Sequence, residues 1–395
     1  MKKFRLILFA CLISNAEIAC TVYKITMNGK TFVGNNEDFW NSNTRIWFEK
    51  GKNGDYGSAY VGFDNFFPQG GINEKGLAFD GLTVPFREIK KNPNKLTCDA
   101  NTLHNVMKRC QNIDEVYSFL SKYDLSILDA AMLFYVDRSG NYLIVEGDTM
   151  IKGNENKYLL SNFCPSKIKN PDDVKLPKYQ SGKKLMDSHI DTSLTYLKTL
   201  SDTLHQSWIG NLGGTVYTTI YDLNENIIHL YFYHDYKKSV TFNLADELNK
   251  KDAIIDIPKL FQNNVDGHNH LKRYKLTQEF LSNLNKSSFS KDSLKISQYI
   301  MTNNIEAFLP LYEDEINNIG RRLMDKNKLV AAINILKLNI KYHKNSWNAF
   351  DSLAEAYYKQ KKYKEAKAYY CKSLELNPNN HSGIHHLQIL DKTSN

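Results

Sequence analysis

Cys20 is the residue of this chain whose type and position point most directly to chemistry. It lies in Ala19-Cys20-Thr21-Val22-Tyr23-Lys24-Ile25, where a leader-like segment gives way to an alternating strand pattern. A cysteine placed first in a mature chain carries a thiol and a free α-amino group on one residue, which makes a nucleophile supplied with its own base. The leader is read from charge and hydropathy. Lys2, Lys3 and Arg5 form a short positive start, and the apolar run over residues 6–13 is too short to cross a bilayer core of about 30 Å as a helix. Small residues follow at Ser14, Ala16 and Ala19, and cleavage after Ala19 exposes Cys20. Glu17 departs from the usual small residue at −3, so an upstream cut followed by trimming gives the same mature end.

The elements that must hold Cys20 follow at once. Residues 21–27 alternate apolar and polar with β-branched members, Asn28-Gly29 supplies a tight turn, and residues 31–34 resume a strand. The two arms are similar in length, so the hairpin returns Asn35-Asn36-Glu37-Asp38 alongside Cys20. A carboxylate at Asp38 can hold an N-terminal ammonium and fix its orientation; by composition alone, the same four residues also make an ordinary polar turn. Further on, residues 101–123 have apolar positions at helical spacing with Cys110 on the core side, and residues 183–204 read as a second helix. Residues 131–136 with 142–146, and 215–221 with 227–233, read as two more hairpins.

Length and composition narrow the function classes. A chain of 395 residues, 42% hydrophobic and 24% charged, is globular and long enough for two cores. The formal charge of +8 falls by two when the leader is lost, and lysine pairs such as Lys90-Lys91 and Lys361-Lys362 are scattered, which speaks for a solvated surface and against a nucleic-acid partner. After the leader no apolar run is long enough to span a membrane. Cys20, Cys98, Cys110, Cys164 and Cys371 are irregularly spaced without a C-x-x-C, arguing against a disulfide framework and a zinc site. His205, His229 and His234 lack metal-ligand spacing, so neither a metal nor another cofactor is expected.

Cys20-Thr21 with its hairpin, Gly34-Asn35-Asn36-Glu37-Asp38, Gly71-Ile72-Asn73-Glu74-Lys75-Gly76-Leu77 and Asp80-Gly81-Leu82-Thr83 together resemble the choloylglycine hydrolase family of N-terminal nucleophile hydrolases. That family includes bile salt hydrolases, penicillin V acylases and related acyltransferases. The resemblance implies an α+β fold, a four-layer αββα sandwich over residues 20–244 after a leader over residues 1–19. It implies Cys20 as nucleophile, Asp38 as the anchor of the α-amino group, and Asn162, in Tyr158-Leu159-Leu160-Ser161-Asn162, as the amide that donates to the oxyanion. Thr83 falls where bile salt hydrolases usually carry Asn and penicillin V acylases Tyr, with its backbone N–H available to the oxyanion hole. Tyr217 and Thr219 resemble the family's strand near the substrate.

Two departures bear on the substrate. Asn35 stands where better-known members carry an arginine, and no arginine occurs between Arg138 and Arg273. Arg45 is then the candidate cation, although a lone strand arginine is more often a surface residue. The aromatics Phe39, Trp40, Trp47, Phe63, Phe66 and Phe67 that follow Asp38 suggest an apolar acyl pocket. The activity implied is hydrolysis of the C–N bond of a linear N-acyl amide through an acyl-cysteine, by an exported enzyme in the periplasm or outside the cell. The alternatives are an acyltransferase of the penicillin type, or a non-catalytic lipoprotein, anchored by a lipid on Cys20, that uses its C-terminal region for binding.

That region begins where the composition changes after Leu244. Residues 245–312 read as linker around one helix at 271–284. From residue 313 to 395 a period of 34 appears: Ile316, Ile319, Gly320, Leu323, Ala332 and Leu336 recur as Phe350, Leu353, Ala354, Tyr357, Ala366 and Tyr370, closing on Asn377-Pro378. The pattern resembles tetratricopeptide repeats, which implies paired helices and a protein partner or self-association.

Overall fold

A computed structural model describes residues 20–207, 213–250 and 253–393. The proposed leader lies outside the described residues. The chain divides into two units, one ending at Leu271 and one beginning at Lys272.

The first unit is built on two antiparallel sheets among the described residues. Its strands are β1 (Thr21–Met27), β2 (Lys30–Phe39), β3 (Thr44–Glu49), β4 (Ser58–Phe63), β5 (Pro68–Asn73), β6 (Ala78–Thr83), the short pair β7 (Leu96–Thr97) and β8 (Tyr123–Asp124), then β9 (Ala131–Val136), β10 (Tyr142–Glu146), β11 (Thr149–Gly153), β12 (Lys157–Ser161), β13 (Gly214–Asp222), β14 (Ile227–Phe232), β15 (Asp235–Asn243) and β16 (Ala253–Asp256). One sheet runs β12-β1-β2-β13-β14-β15; the other runs β11-β10-β9-β6-β5-β4-β3-β16. Helices α1 (Ala100–Arg109) and α2 (Ile113–Leu120) cover the eight-stranded sheet, while α3 (Pro177–Ser188) and α4 (Leu194–Leu204) cover the six-stranded one.

Alternation along the strands explains why there are four layers. On β1, Val22 points into the core shared by the two sheets, while Tyr23 and Ile25 pack toward α3 and α4. On β3, Ile46 and Phe48 join the core between the sheets, while Trp47 packs toward α1. Both sheets are therefore apolar on both faces, and each needs a cover on its outer side. The first hairpin turns at Asn28 and Gly29, whose φ of 53° and 74° suit the two left-handed positions of a type I′ turn. Gly34 is needed for a different reason: a Cβ there would lie 2.1 Å from the ring of Tyr23, its cross-strand partner.

Several sequence expectations shift. The helix expected over residues 101–123 is broken at Cys110, which is extended, and restarts after the N-cap Asn112. The helix expected over 183–204 is likewise two, with Ser193 capping the second. The sandwich also continues past Leu244, where the sequence places its end. After α5 (Leu244–Asn249), β16 pairs with β3, and α6 (Ile257–Leu260) sets Ile257 into the core between the sheets. A four-residue strand has too short a period to stand out from a linker.

The segment after it is helical: α7 (Val265–Leu284), α8 (Ser287–Ser290) and α9 (Ser293–Asn303). In the second unit α10 (Glu313–Asp325), α11 (Leu329–Tyr342), α12 (Trp347–Lys359), α13 (Tyr363–Leu376) and α14 (His381–Thr393) follow as helical hairpins with a final helix. The small residues of the 34-residue period are where those hairpins close. A Cβ on Gly320 would lie 2.6 Å from Leu336, and Ala332, Ala354 and Ala366 are fully buried.

Candidate active site

Cys20 immediately precedes β1. The hairpin register sets Thr21 opposite Asn36 on one side and opposite Ser161 on the other. One step further along the same register, Cys20 stands beside Glu37 and Asn162. The Asp38 N–H donates to the Cys20 Sγ at 3.4 Å, and Ser161 Oγ donates to the Cys20 carbonyl at 2.8 Å. The nucleophile candidate is thus gripped from both neighbouring strands and is almost wholly buried.

Asp38 is fully buried. The Thr215 hydroxyl on β13 donates to its Oδ1, while Oδ2 is buried with no partner. Burial pushes the Asp38 carboxyl well above the usual range, and Glu37 adds to the shift; the Thr215 bond opposes it. The thiol of Cys20 is pushed up as well, by burial first and then by the carboxylates of Glu37, Asp38 and Asp80. With its α-nitrogen tied in a peptide bond, such a thiol is a poor nucleophile.

Asn162 and Thr83, both expected at the oxyanion, are brought together from different sheets: Asn162 Nδ2 donates to the Thr83 carbonyl at 2.6 Å. Thr83 faces Ala131, and the adjacent Val84 N–H goes to Ala130 O at 3.0 Å, so Thr83 sits in a non-hydrogen-bonded pair with its backbone groups turned away from β9. An amide nitrogen carries two hydrogens, so this bond leaves Asn162 one donor.

Asn35 does not reach an open substrate surface. It is 1% exposed and its amide donates to Asp80 on β6, across the space between the sheets. Asp80 is fully buried and its carboxyl is raised by burial and by Glu37; the Asn35 bond opposes this. Glu37 is pushed up to about 8 by burial, with the Tyr217 hydroxyl drawing it part of the way back. The ion pair and ring contact of Arg45 involve none of Cys20, Asp38, Asn162 and Thr83. Strand alternation puts it on the outer face of its sheet with Trp47, where Nε pairs with Asp256 Oδ1 at 3.1 Å and the guanidinium lies 5.0 Å over the Phe66 ring. Arg45, expected as a substrate-binding cation, is instead engaged by Asp256.

Glu37, Asp80 and Thr215 were not given roles by the sequence. Glu37 and Asp80 stood inside the quoted motifs, but their surroundings come from segments distant in sequence: Glu37 pairs with Tyr217 on β13, and Asp80 is reached by Asn35 from the other sheet. Thr215 carries no motif; only its place at the start of a β-branched run could have drawn attention.

No curated protein matches the sequence. Residues 348–380 match the tetratricopeptide repeat family model, in line with the helical hairpins there. Among solved structures, a variant of the conjugated bile acid hydrolase from Clostridium perfringens is similar over 60% of this chain and 96% of its own, at 17% identity and a TM-score of 0.48. The penicillin V acylase from Agrobacterium tumefaciens is similar over 60% and 90%, at 13% identity and a TM-score of 0.47.

Proposed function

We propose that the first unit is a cysteine N-terminal nucleophile amidase, exported and cut before Cys20, that hydrolyses the C–N bond of a linear N-acyl amide. The observation that carries this reading is the unpartnered Oδ2 of Asp38, a buried acceptor on the residue that also touches the Cys20 sulfur. A buried carboxylate without a partner is costly, and a newly freed α-ammonium one residue away supplies the missing donor and charge.

In this reading the freed α-amine, of reference pKa about 7.7 to 8.0, takes the thiol proton. The sulfur attacks the amide carbonyl, forming the S–C bond. The tetrahedral oxyanion is met by the second N–H of Asn162 and by the Thr83 N–H. The C–N bond then breaks as the α-ammonium passes its proton to the leaving amine, and water releases the acyl group from sulfur by the reverse proton path. The helical repeats fit a separate task, holding a protein partner.

Intact mass and N-terminal sequencing of the mature protein, with amine release from a panel of N-acyl amides, test the proposal. A chain beginning at Cys20 with a free amine and measurable turnover is expected. A lipid or any other acyl group on that amine would overturn it, because the same nitrogen cannot be both blocked and basic.

A further inference from the structure

A largely apolar cavity of about 210 Å³ lies between the outer face of the eight-stranded sheet and α1. Its origin is legible residue by residue. Phe79, Leu133 and Tyr135 on the strands and Leu103 and Met107 on α1 set the layer spacing, while Gly81 and Ala131 leave the intervening surface bare. A Cβ placed on Gly81 would meet nothing nearer than 3.4 Å. Large side chains holding two layers apart around small ones create a void that the protein does not fill.

The cavity reaches one residue of the candidate active site. Thr83 is part of its wall, and the Thr83 carbonyl is the acceptor for Asn162. Leu82 and Met132 also line it, and both belong to the buried cluster that contains Cys20.

We propose that this cavity receives the acyl group of the substrate, and that the group is compact: an aryl-alkyl or short unbranched chain rather than a steroid or a long fatty chain. The proposal rests on the amidase reading. In that reaction the amine leaves first and the acyl group stays on sulfur, so a largely apolar recess, partly open at its mouth, suits the acyl side. Size sets the class. An engineered cavity of about 150 Å³ is known to admit benzene, so one of about 210 Å³ holds a ring with about two further carbons. Among the described residues the wall holds no lysine, arginine or carboxylate, and its one ionisable imidazole, His104, already faces Glu49 at 3.0 Å, so the lining offers mainly shape.

The test compares mature wild type with Gly81→Leu, whose side chain projects into the void, on acetyl, hexanoyl, 3-phenylpropanoyl and dodecanoyl amides of one amine. Calorimetric binding of 3-phenylpropanoate to Cys20→Ala and to Cys20→Ala/Gly81→Leu runs in parallel. Wild type should prefer the hexanoyl and 3-phenylpropanoyl amides, and Gly81→Leu should cut their kcat/KM relative to acetyl by about tenfold or more, the scale set by one or two methylenes in a pocket. Binding of the free acid should weaken by a similar factor. Hydrolysis with the same acyl preference in both proteins, or a preference for dodecanoyl, overturns the cavity assignment and leaves the amidase reading standing. Binding of the acid that Gly81→Leu blocks, with no amide turned over by the wild type, overturns the amidase reading and the acyl assignment with it. A met thermal transition for Gly81→Leu, close to that of wild type, shows that the comparison is between folded proteins.

Discussion

The Thr215 hydroxyl donates to Oδ1 of Asp38 and in turn accepts the Gln206 N–H at 2.9 Å, so one carboxylate oxygen is fixed by β13 while the other is buried without a partner. In the proposed reaction the two oxygens divide a structural task from a chemical one. Thr215→Val removes the donor but keeps the shape. A hydrogen bond to a charged group contributes about 1.5–3 kcal/mol, so kcat/KM should fall by about tenfold or more, and Thr215→Ser should restore most of it. Equal rates for Val and Ser would show that Asp38 is oriented without β13.

Cys20→Ser should abolish amide turnover and leave the thermal transition within a few degrees of wild type, because sulfur and oxygen differ little in the space they fill. Asn162→Ala should lower kcat by about 10²–10³-fold, the usual loss of one oxyanion donor, with KM changed far less. If Asn162→Ala instead raised KM alone, the residue would be a substrate contact and not an oxyanion donor.

Asn35→Ala and Asp38→Asn should separate stability from rate. Asn35 donates to Asp80, whose other oxygen has no partner, so its loss strands a buried carboxyl and should cost about 1–3 kcal/mol of folding free energy. Denaturant unfolding reads that loss. Asp38→Asn keeps the volume but, in the proposed mechanism, removes the charge that balances the α-ammonium, so the larger loss should be in kcat. A drop in kcat for Asn35→Ala as deep as that for Asp38→Asn would place Asn35 in the chemistry.

Glu37 makes a pH prediction with a fixed sign. Its carboxyl is raised to about 8 in the folded protein against about 4.3 for an unperturbed glutamate. Below pH 4 both states bind the proton and Glu37 has no effect on stability. As pH rises from there toward 8, the unfolded chain gives up the proton and the folded one keeps it, so stability falls, by up to about 1.4 kcal/mol per pH unit. Above 8 the penalty is constant. Glu37→Gln should therefore gain on wild type across that window, by chemical denaturation at several pH values. A difference between the two that does not vary with pH would show Glu37 to be ionised throughout.

How much of this could be read beforehand depends on sequence distance. The β1–β2 hairpin was legible because its turn and its alternation are local, and with it came the approach of Asp38 to Cys20. The meeting of Asn162 with Thr83 was implied by the family resemblance and not by local pattern, and the bond of Asn35 to Asp80 was not legible at all, since each bridges the two sheets. Arg45 could be placed outward only once the register of β3 was known, because a shift of one residue exchanges the two faces of a strand. The 34-residue period was visible because small residues recur wherever helices close. The continuation of the sandwich past Leu244 was hidden by the shortness of β16.

That continuation sets where the chain can be cut. A protein ending at Leu244 would lose β16, leaving the β3 edge unpaired, and would lose Ile257 and Phe261 from the core between the sheets. It would also lose Asn264, whose amide donates to the Phe232 carbonyl at 2.8 Å, and His270, which shares a 2.8 Å hydrogen bond with the buried Ser42. An exposed strand edge above a breached core is an aggregation template. That protein should therefore be insoluble or lack a cooperative melt. One ending at Leu284, after α7, keeps all of these contacts and should fold, with kcat/KM on a small soluble amide unchanged, while losing any partner held by the repeats. Solubility, thermal melting and steady-state kinetics on the two shortened chains and the full one separate the cases. A well-folded, active protein ending at Leu244 would mean that β16 and the residues up to Leu271 add nothing the sandwich needs.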